Sequence, residues 1–410
     1  MKASKLACAV FASGLAIGTF AATPSFEDFD QRARNGENLT VAFFGGSLTW
    51  GARASDPQKT SYRAIIGRKL VEAYPKAHFK FIDAAIGGTG SQLGVFRLQR
   101  DVLAYKPDLV FLDFTLNDDA YKTTPDTLAA YESLVRRIIA EGRCPVIQMF
   151  LAAKSYVTDG TTEKMKRYQA NMAIAKAYNT GTGDAITLMQ EKYKKGQLDL
   201  DKVWPPESFD TCHPDDPGYA LYAEAGWDAY QKAVADKLVC RVPEKMLNSD
   251  AYMRWARVRI SSLIPLPQGW KKTFASRDAC AFDFMMSRWL EDVTAAANFT
   301  ALGREKNKPA PAVLPLKLKF TGSSVLLFGE STPRSCKYHV TIDGKDKDFN
   351  ACQLGQSGIG RMLQMVAEGL DPVKEHTLEI TPLFDSPDKP QELRIESICI
   401  AGPETVTVSK

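Results

Sequence analysis

The sequence predicts an α/β fold, a parallel sheet covered by helices on both faces, followed by a smaller all-β domain. The chain has 410 residues, too long for one ordinary domain and comfortable for two. Between residues 39 and about 240, continuous apolar runs alternate with segments of helical periodicity. After about residue 245 this rhythm ends, and from 316 onward short strand-like runs alternate with turn signals.

The elements follow in order. Residues 39–44 form a β-rich apolar run. Residues 61–74 have helical spacing in Ile65, Ile66, Leu70 and Val71. Residues 79–86 read as a strand, 93–105 as a helix and 108–114 as a buried strand. A helix over 125–141, a strand over 145–151 and a helix over 162–178 come next, and 184–188 is expected to be the fifth strand. The last helix starts near Pro217, since proline suits a first helical turn. Two prolines in 264–267 and three in 307–315 bracket an apolar stretch, 280–290, that reads as strand or short helix. Strands are expected at 316–320, 324–328, 338–342, 376–380 and 393–400, with Asp343-Gly344 as one turn. That pattern implies a β-sandwich. The expected domains are 26–245 and 265–403.

Composition narrows the function. The chain is 45% hydrophobic and 24% charged, as folded globular proteins are. Lys and Arg total 52 against 48 Asp and Glu, and 50 against 48 without Lys2 and Lys5. This near balance argues against a nucleic-acid partner, which needs a basic face. Four His and no Cys-x-x-Cys or His-Glu-x-x-His spacing argue against a zinc site, and no cofactor is expected. Lys2 and Lys5 precede an almost wholly apolar stretch, 6–22, that ends in Ala21 and Ala22. This is the pattern of a secretory signal peptide over 1–22, and 17 residues is short for a membrane span. The mature chain is expected to be exported, periplasmic or extracellular, with no membrane span. Of eight cysteines, Cys8 lies in the leader; the remaining odd number leaves at least one thiol outside intrachain bridges. Cys144 reads as a buried small hydrophobe, and Cys336 and Cys352 as a possible bridge.

Candidate chemistry sits where strands end. The first strand runs into Gly45-Gly46-Ser47-Leu48-Thr49, where a serine hydroxyl can stand above the sheet. The second runs into Gly87-Gly88-Thr89-Gly90-Ser91, whose glycines let backbone N–H groups approach a ligand oxygen. The third runs into Asn117-Asp118; an Asn amide there can donate to a developing oxyanion. Before the last helix stands Asp210-Thr211-Cys212-His213-Pro214. Asp and His three apart can meet, leaving Nε2 of the imidazole as a base. Each motif alone is also an ordinary turn. His78 reads as a strand-end surface residue, and His339 and His376 as structural residues without acidic partners at useful spacing.

The order Ser, Gly, Asn, Asp-x-x-His resembles the SGNH (GDSL-like) hydrolase family over roughly residues 38–238. The resemblance implies a three-layer α/β/α flavodoxin-like domain and ester hydrolysis without a metal. Carried onto this sequence, Ser47 is the nucleophile, His213 the general base and Asp210 its orienting carboxylate. The oxyanion hole is then the N–H groups of Ser47 and Gly88 with the Asn117 amide. Two positions depart from the family pattern: Gly46 stands where an aspartate usually precedes the serine, and Leu116 where many members have glycine. An exported hydrolase with an appended jelly-roll-like β-sandwich resembles bacterial carbohydrate esterases, so an acylated carbohydrate is the expected substrate. The alternatives are a lipid or aryl esterase of lysophospholipase type and a catalytically silent carbohydrate-binding protein. Trp50, Arg97, Asp118 and Asp119 are candidates for substrate contacts. Residues 310–410 contain no Trp and only Tyr338 as tyrosine, which favours a packing or site-shaping role for the second domain over glycan binding.

Overall fold

The structure is a computed structural model that describes residues 23–275, 292–299, 312–353, 358–385 and 389–410. The predicted leader and the stretch 280–290 lie outside the described residues.

The first part of the chain builds a five-stranded parallel sheet from β1 (Asn38–Gly45), β2 (His78–Ala85), β3 (Leu109–Asp113), β4 (Val146–Phe150) and β5 (Gly181–Asp184), in the order β2-β1-β3-β4-β5. This is the flavodoxin-like doubly wound order, whose ligand crevice opens beyond the carboxyl ends of β1 and β3. Strands β3 and β4 are buried at every position, as their apolar sequences, interrupted only by Asp113 and Gln148, require.

Helix α1 (Phe26–Arg34) is capped by the Ser25 hydroxyl, which accepts from the Asp28 N–H. The short α2 (Ser47–Trp50) follows β1 directly, then α3 (Tyr62–Ala73) crosses to β2 and α4 (Ser91–Asp101) crosses to β3. Next come α5 (Pro125–Ala140), α6 (Lys154–Thr158), α7 (Lys166–Tyr178), α8 (Ala185–Lys194), α9 (Leu200–Val203) and α10 (Asp216–Ala235). Helices α1, α3 and α10 pack together; α4, α5 and α7 form the other layer.

The fifth strand ends where it was expected to begin. Asp184 accepts from the Thr187 N–H, so residues 185–188 are the first turn of α8. The real strand, Gly-Thr-Gly-Asp, lacks an apolar run because α10 crosses it closely: a Cβ on Gly183 would lie 3.1 Å from Gly226 Cα.

The second part contains two antiparallel sheets. One has the order β13-β10-β15-β8-β7, with β6 also paired to β15. Its strands are β6 (Arg254–Arg259), β7 (Trp270–Lys272), β8 (Thr294–Ala297), β10 (Ser324–Ser331), β13 (Gly360–Ala367) and β15 (Glu392–Gly402). The other has the order β12-β11-β14-β9-β16, from β9 (Leu316–Phe320), β11 (Lys337–Ile342), β12 (Lys345–Asn350), β14 (His376–Leu383) and β16 (Val408–Ser409). Leu316, Leu318, Val340 and Ile380 face Val325, Leu327, Ile398 and Ile400 in the sandwich core.

The two sheets differ in their outer faces. Strand β9 alternates buried and exposed residues, whereas β10 and β15 are buried at every position. The outer face of the first sheet supplies Leu326, Phe328, Cys399 and Ala401 to the core of the α/β part, with Leu363 and Met365 against it. One hydrophobic core therefore runs through both parts. The connection is strapped down as well: buried Glu132 on α5 accepts from the N–H groups of Leu247 and Asn248, both at 2.7 Å. The Tyr252 hydroxyl donates to Asp126 at 2.6 Å, and the Arg137 guanidinium lies 5.1 Å from the Trp255 ring centre.

Two smaller expectations are corrected. Cys336 holds a free, buried thiol, so the bridge to Cys352 is not formed; burial pushes this thiol up to about 12. His339 and His376 do have acidic partners, Asp348 at 2.6 Å and Asp343 at 2.8 Å, brought near by strand pairing and not by sequence spacing. Their surroundings remain structural.

Candidate active site

Strand β1 ends at Gly45, and Ser47 is the first residue of α2. The chain turns there because glycines occupy tight positions. A Cβ on Gly45 would fall on the Thr49 hydroxyl, and Gly51 closes α2 in the left-handed region at φ 99°. Ser47 is half-buried, and its hydroxyl donates to His213 Nε2 at 2.7 Å. On the other side of the ring, Nδ1–H donates to Asp210 Oδ2 at 2.8 Å. The second carboxylate oxygen, Oδ1, accepts from the backbone N–H groups of Cys212 and His213, both at 2.9 Å. Burial works to raise the Asp210 pKa, but the His213 N–H, the His213 ring and the Cys212 N–H outweigh it, so the carboxyl is held below its usual range. The His213 and Asp210 side chains are 27% and 28% exposed, so the pair is reachable from solvent.

The loop that carries this pair is tied to the serine's own loop. Arg53 donates to Asp215 at 2.7 Å, the Ser55 N–H donates to Asp216 at 2.8 Å, and the Tyr219 hydroxyl donates to the Ala52 carbonyl at 2.7 Å. These bonds join the exit of α2 to the start of α10, so Ser47 and His213 meet across 166 residues of sequence.

The loops after β2 and β3 converge on Gly46. A Cβ there would fall on Asn117 Oδ1 and lie 3.3 Å from the Thr89 carbonyl. Gly88 sits in the left-handed region at φ 65°. The Thr89 hydroxyl donates to the Ile86 carbonyl at 2.8 Å, and Asp118 accepts from the Ser91 N–H at 2.9 Å. Ser47, Gly88 and Asn117 thus follow the ends of β1, β2 and β3, as expected from their order. Asn117 is exposed.

Two expected substrate contacts are corrected. Arg97 is fully buried under the site. It donates to the carbonyls of Gly45, at 2.6 Å, and Ala84, and its guanidinium lies 4.4 Å from the Phe44 ring centre. It holds the ends of β1 and β2 from below. Asp118 has only 4% of its side chain exposed; it joins Ser91 to Arg167, 4.0 Å away. Burial raises its pKa, opposed by Arg167. Trp50 is half-buried, and its carbonyl accepts from Arg63 at 3.3 Å. Asp119 pairs with Lys122 at 3.2 Å.

Two residues at the site carry no sequence motif. Phe209, next to Asp210, is 94% exposed and held at φ 55°. Arg361, from β13, donates through Nε to the Gly88 carbonyl at 2.9 Å. Among the described residues no group of three or more His, Cys, Asp or Glu is arranged to hold a metal ion, and no helix is long and apolar enough to cross a membrane.

Residues 43–221 match the GDSL-like lipase/acylhydrolase family. The chain carries a hydrolase domain of that family. It is a carboxylic ester hydrolase of the SGNH type, and Ser47, Gly88, Asn117, Asp210 and His213 all lie inside the matched span. A comparison with curated proteins found no match. Two solved structures resemble the chain over nearly its whole length. One is a two-domain esterase active on acetylated mannans, co-crystallised with mannopentaose: 20% identity, 94% of this chain and 97% of that one, TM-score 0.74. The other is a two-domain esterase described as active on acetylated mannans: 22% identity, 92% and 95% coverage, TM-score 0.74. At that identity the likeness speaks for the fold, and it extends the GDSL-like domain by a C-terminal β-sandwich in the same arrangement.

Proposed function

We propose that this GDSL-like hydrolase is an exported serine esterase that removes O-acetyl groups from carbohydrate. The observation that carries the reading is the unbroken chain of hydrogen bonds from Ser47 Oγ through His213 to Asp210. A serine hydroxyl is a poor nucleophile at neutral pH. His213 Nε2 takes its proton as Oγ attacks the acyl carbon, and Asp210 holds the ring in the tautomer with the proton on Nδ1. The carbonyl oxygen becomes an oxyanion, which the N–H groups of Ser47 and Gly88 and the Asn117 amide receive. His213 then protonates the departing sugar oxygen. Water, activated by the same imidazole, releases acetate and restores Ser47.

An acetyl group attached to sugar is supported by the small and polar surroundings of Ser47, namely Gly87 to Ser91 and Asn117 to Asp119. The two-domain structures of matching architecture are described as active on acetylated mannans, which favours the same substrate class. We assign residues 1–22 as an export signal and 26–245 to the hydrolase domain; the accessory sandwich, expected at 265–403, is set wider, because β6 (Arg254–Arg259) and β16 (Val408–Ser409) pair with its strands β15 and β9. Acetate release from a panel of acetylated glycans, with Ser47→Ala as the control, tests the reading. Wild type is expected to release acetate and Ser47→Ala none. A faster reaction on octanoyl than on acetyl esters of one alcohol would instead favour a lipid esterase.

A further inference from the structure

The C-terminal sandwich reaches into the site through one side chain. On the outer face of its first sheet, Leu326 pairs with Met365, Phe328 with Leu363 and Glu330 with Arg361. The first two pairs are apolar and pack on the hydrolase core. The third ends the row with charge, and Arg361 extends from it to the loop after β2.

There it meets Gly88 twice. Nε donates to the Gly88 carbonyl at 2.9 Å, and the rest of the guanidinium covers the Cα so closely that a Cβ would fall on it. Gly88 has φ 65°, a conformation open to several alternatives because glycine lacks a Cβ. The hydrolase domain fixes the flanks of this loop through Thr89 and Asp118. The described hydrogen bond to the Gly88 carbonyl comes from the sandwich.

We propose that Arg361 is a positioning residue for the oxyanion hole. It pins the Gly88 residue so that its N–H faces the carbonyl oxygen of a bound ester, and it brings a positive charge beside the place where negative charge develops. The hydrolytic centre is then complete only with the sandwich docked. This rests on the reading of Gly88 as an oxyanion donor.

Such a role acts in the transition state, so it moves kcat and not KM. Losing a whole oxyanion donor costs on the order of a hundredfold in rate, and loosening one costs less. Arg361→Met, which keeps the apolar stem, is expected to lower kcat on a small aryl acetate by about tenfold or more, with KM within about threefold. Leu363→Ala is the comparison. It thins the same interface without touching Gly88, and is expected to lower stability while keeping kcat within about twofold. Kinetics and thermal unfolding of the full-length variants decide the matter. Wild-type kcat in Arg361→Met, an effect confined to KM, or an equal kcat loss in Leu363→Ala would each overturn the inference. Ser47→Ala separates the two levels. If it is inactive while Arg361→Met is unimpaired, only this inference fails; if it stays active, the serine mechanism and this inference fall together.

Discussion

Gly46 occupies the position where an aspartate usually precedes the family's serine, and the structure gives a physical reason for the change. Its φ, −101°, lies outside the left-handed region that favours glycine. The obstacle is Asn117: a Cβ on Gly46 would fall on its side-chain oxygen. Asn117 is exposed and can swing outward, so Gly46→Ala should unfold within a few degrees of the wild type. The amide would leave the proposed oxyanion site. Loss of one such donor removes about 10²–10³ in kcat, or about 3–4 kcal/mol, with little change in KM. Asn117→Ala should do the same by a different route. Because both changes remove one interaction, the double variant should be no slower than the worse single variant, a coupling of about 3 kcal/mol. Initial rates on an aryl acetate over a full concentration range give kcat and KM for all four proteins. Wild-type kcat in Gly46→Ala, or a double variant slowed by the product of the two singles, would refute the reasoning.

Three further outcomes are expected. Arg97→Met removes the donors that hold the Gly45 and Ala84 carbonyls and leaves buried Asp101, 3.6 Å away, without that cation; urea unfolding should register a loss of about 3–5 kcal/mol. Burial, opposed by the Thr115 N–H and by hydroxyl bonds, pushes Asp113 up to about 7. Between about pH 4 and 7 the native state therefore keeps a proton that the unfolded chain has lost, and this group lowers stability as pH rises. Asp113→Asn should raise the melting temperature relative to wild type at pH 8 and have little effect of this kind at pH 4; an equal shift at both would contradict the titration. Phe209 offers an exposed ring beside Asp210, so Phe209→Ala should raise KM on acetylated oligosaccharide several-fold and leave aryl acetate kinetics unchanged.

The hydrolase domain was legible because parallel strands buried on both faces leave nearly continuous apolar runs, and because Ser47, Gly88 and Asn117 stand where the first three strands stop and Asp210 and His213 just before the last helix. β5 broke the rule: with two glycines in four residues, its signal was replaced by the needs of α10 packing across it. In the sandwich, β12 (Lys-Asp-Lys-Asp-Phe-Asn) is a charged edge strand, as edges exposed to pairing tend to be. Only the Asp343-Gly344 turn pointed to it, and both residues adopt positive φ. Arg97 failed as a substrate contact because a cation near a strand end reads alike whether it points out of the crevice or under it.

Arg361 is a different case. Its partner, Gly88, lies 273 residues earlier, and the contact exists only because the outer face of the sandwich is apolar. That face did leave a trace. A sheet covered only by its partner sheet alternates buried and exposed residues, as β9 does, whereas 324–328 reads apolar almost without interruption. The same run in a parallel sheet signals cover on both faces, and the physics does not depend on strand direction. An unbroken apolar strand in an accessory sandwich therefore implies a second surface to bury, and the hydrolase domain is the surface available within this chain. From that step, charged residues continuing the row, Glu330 and Arg361, become candidates for whatever lies at the rim of the contact. In this protein the rim is the loop of Gly88.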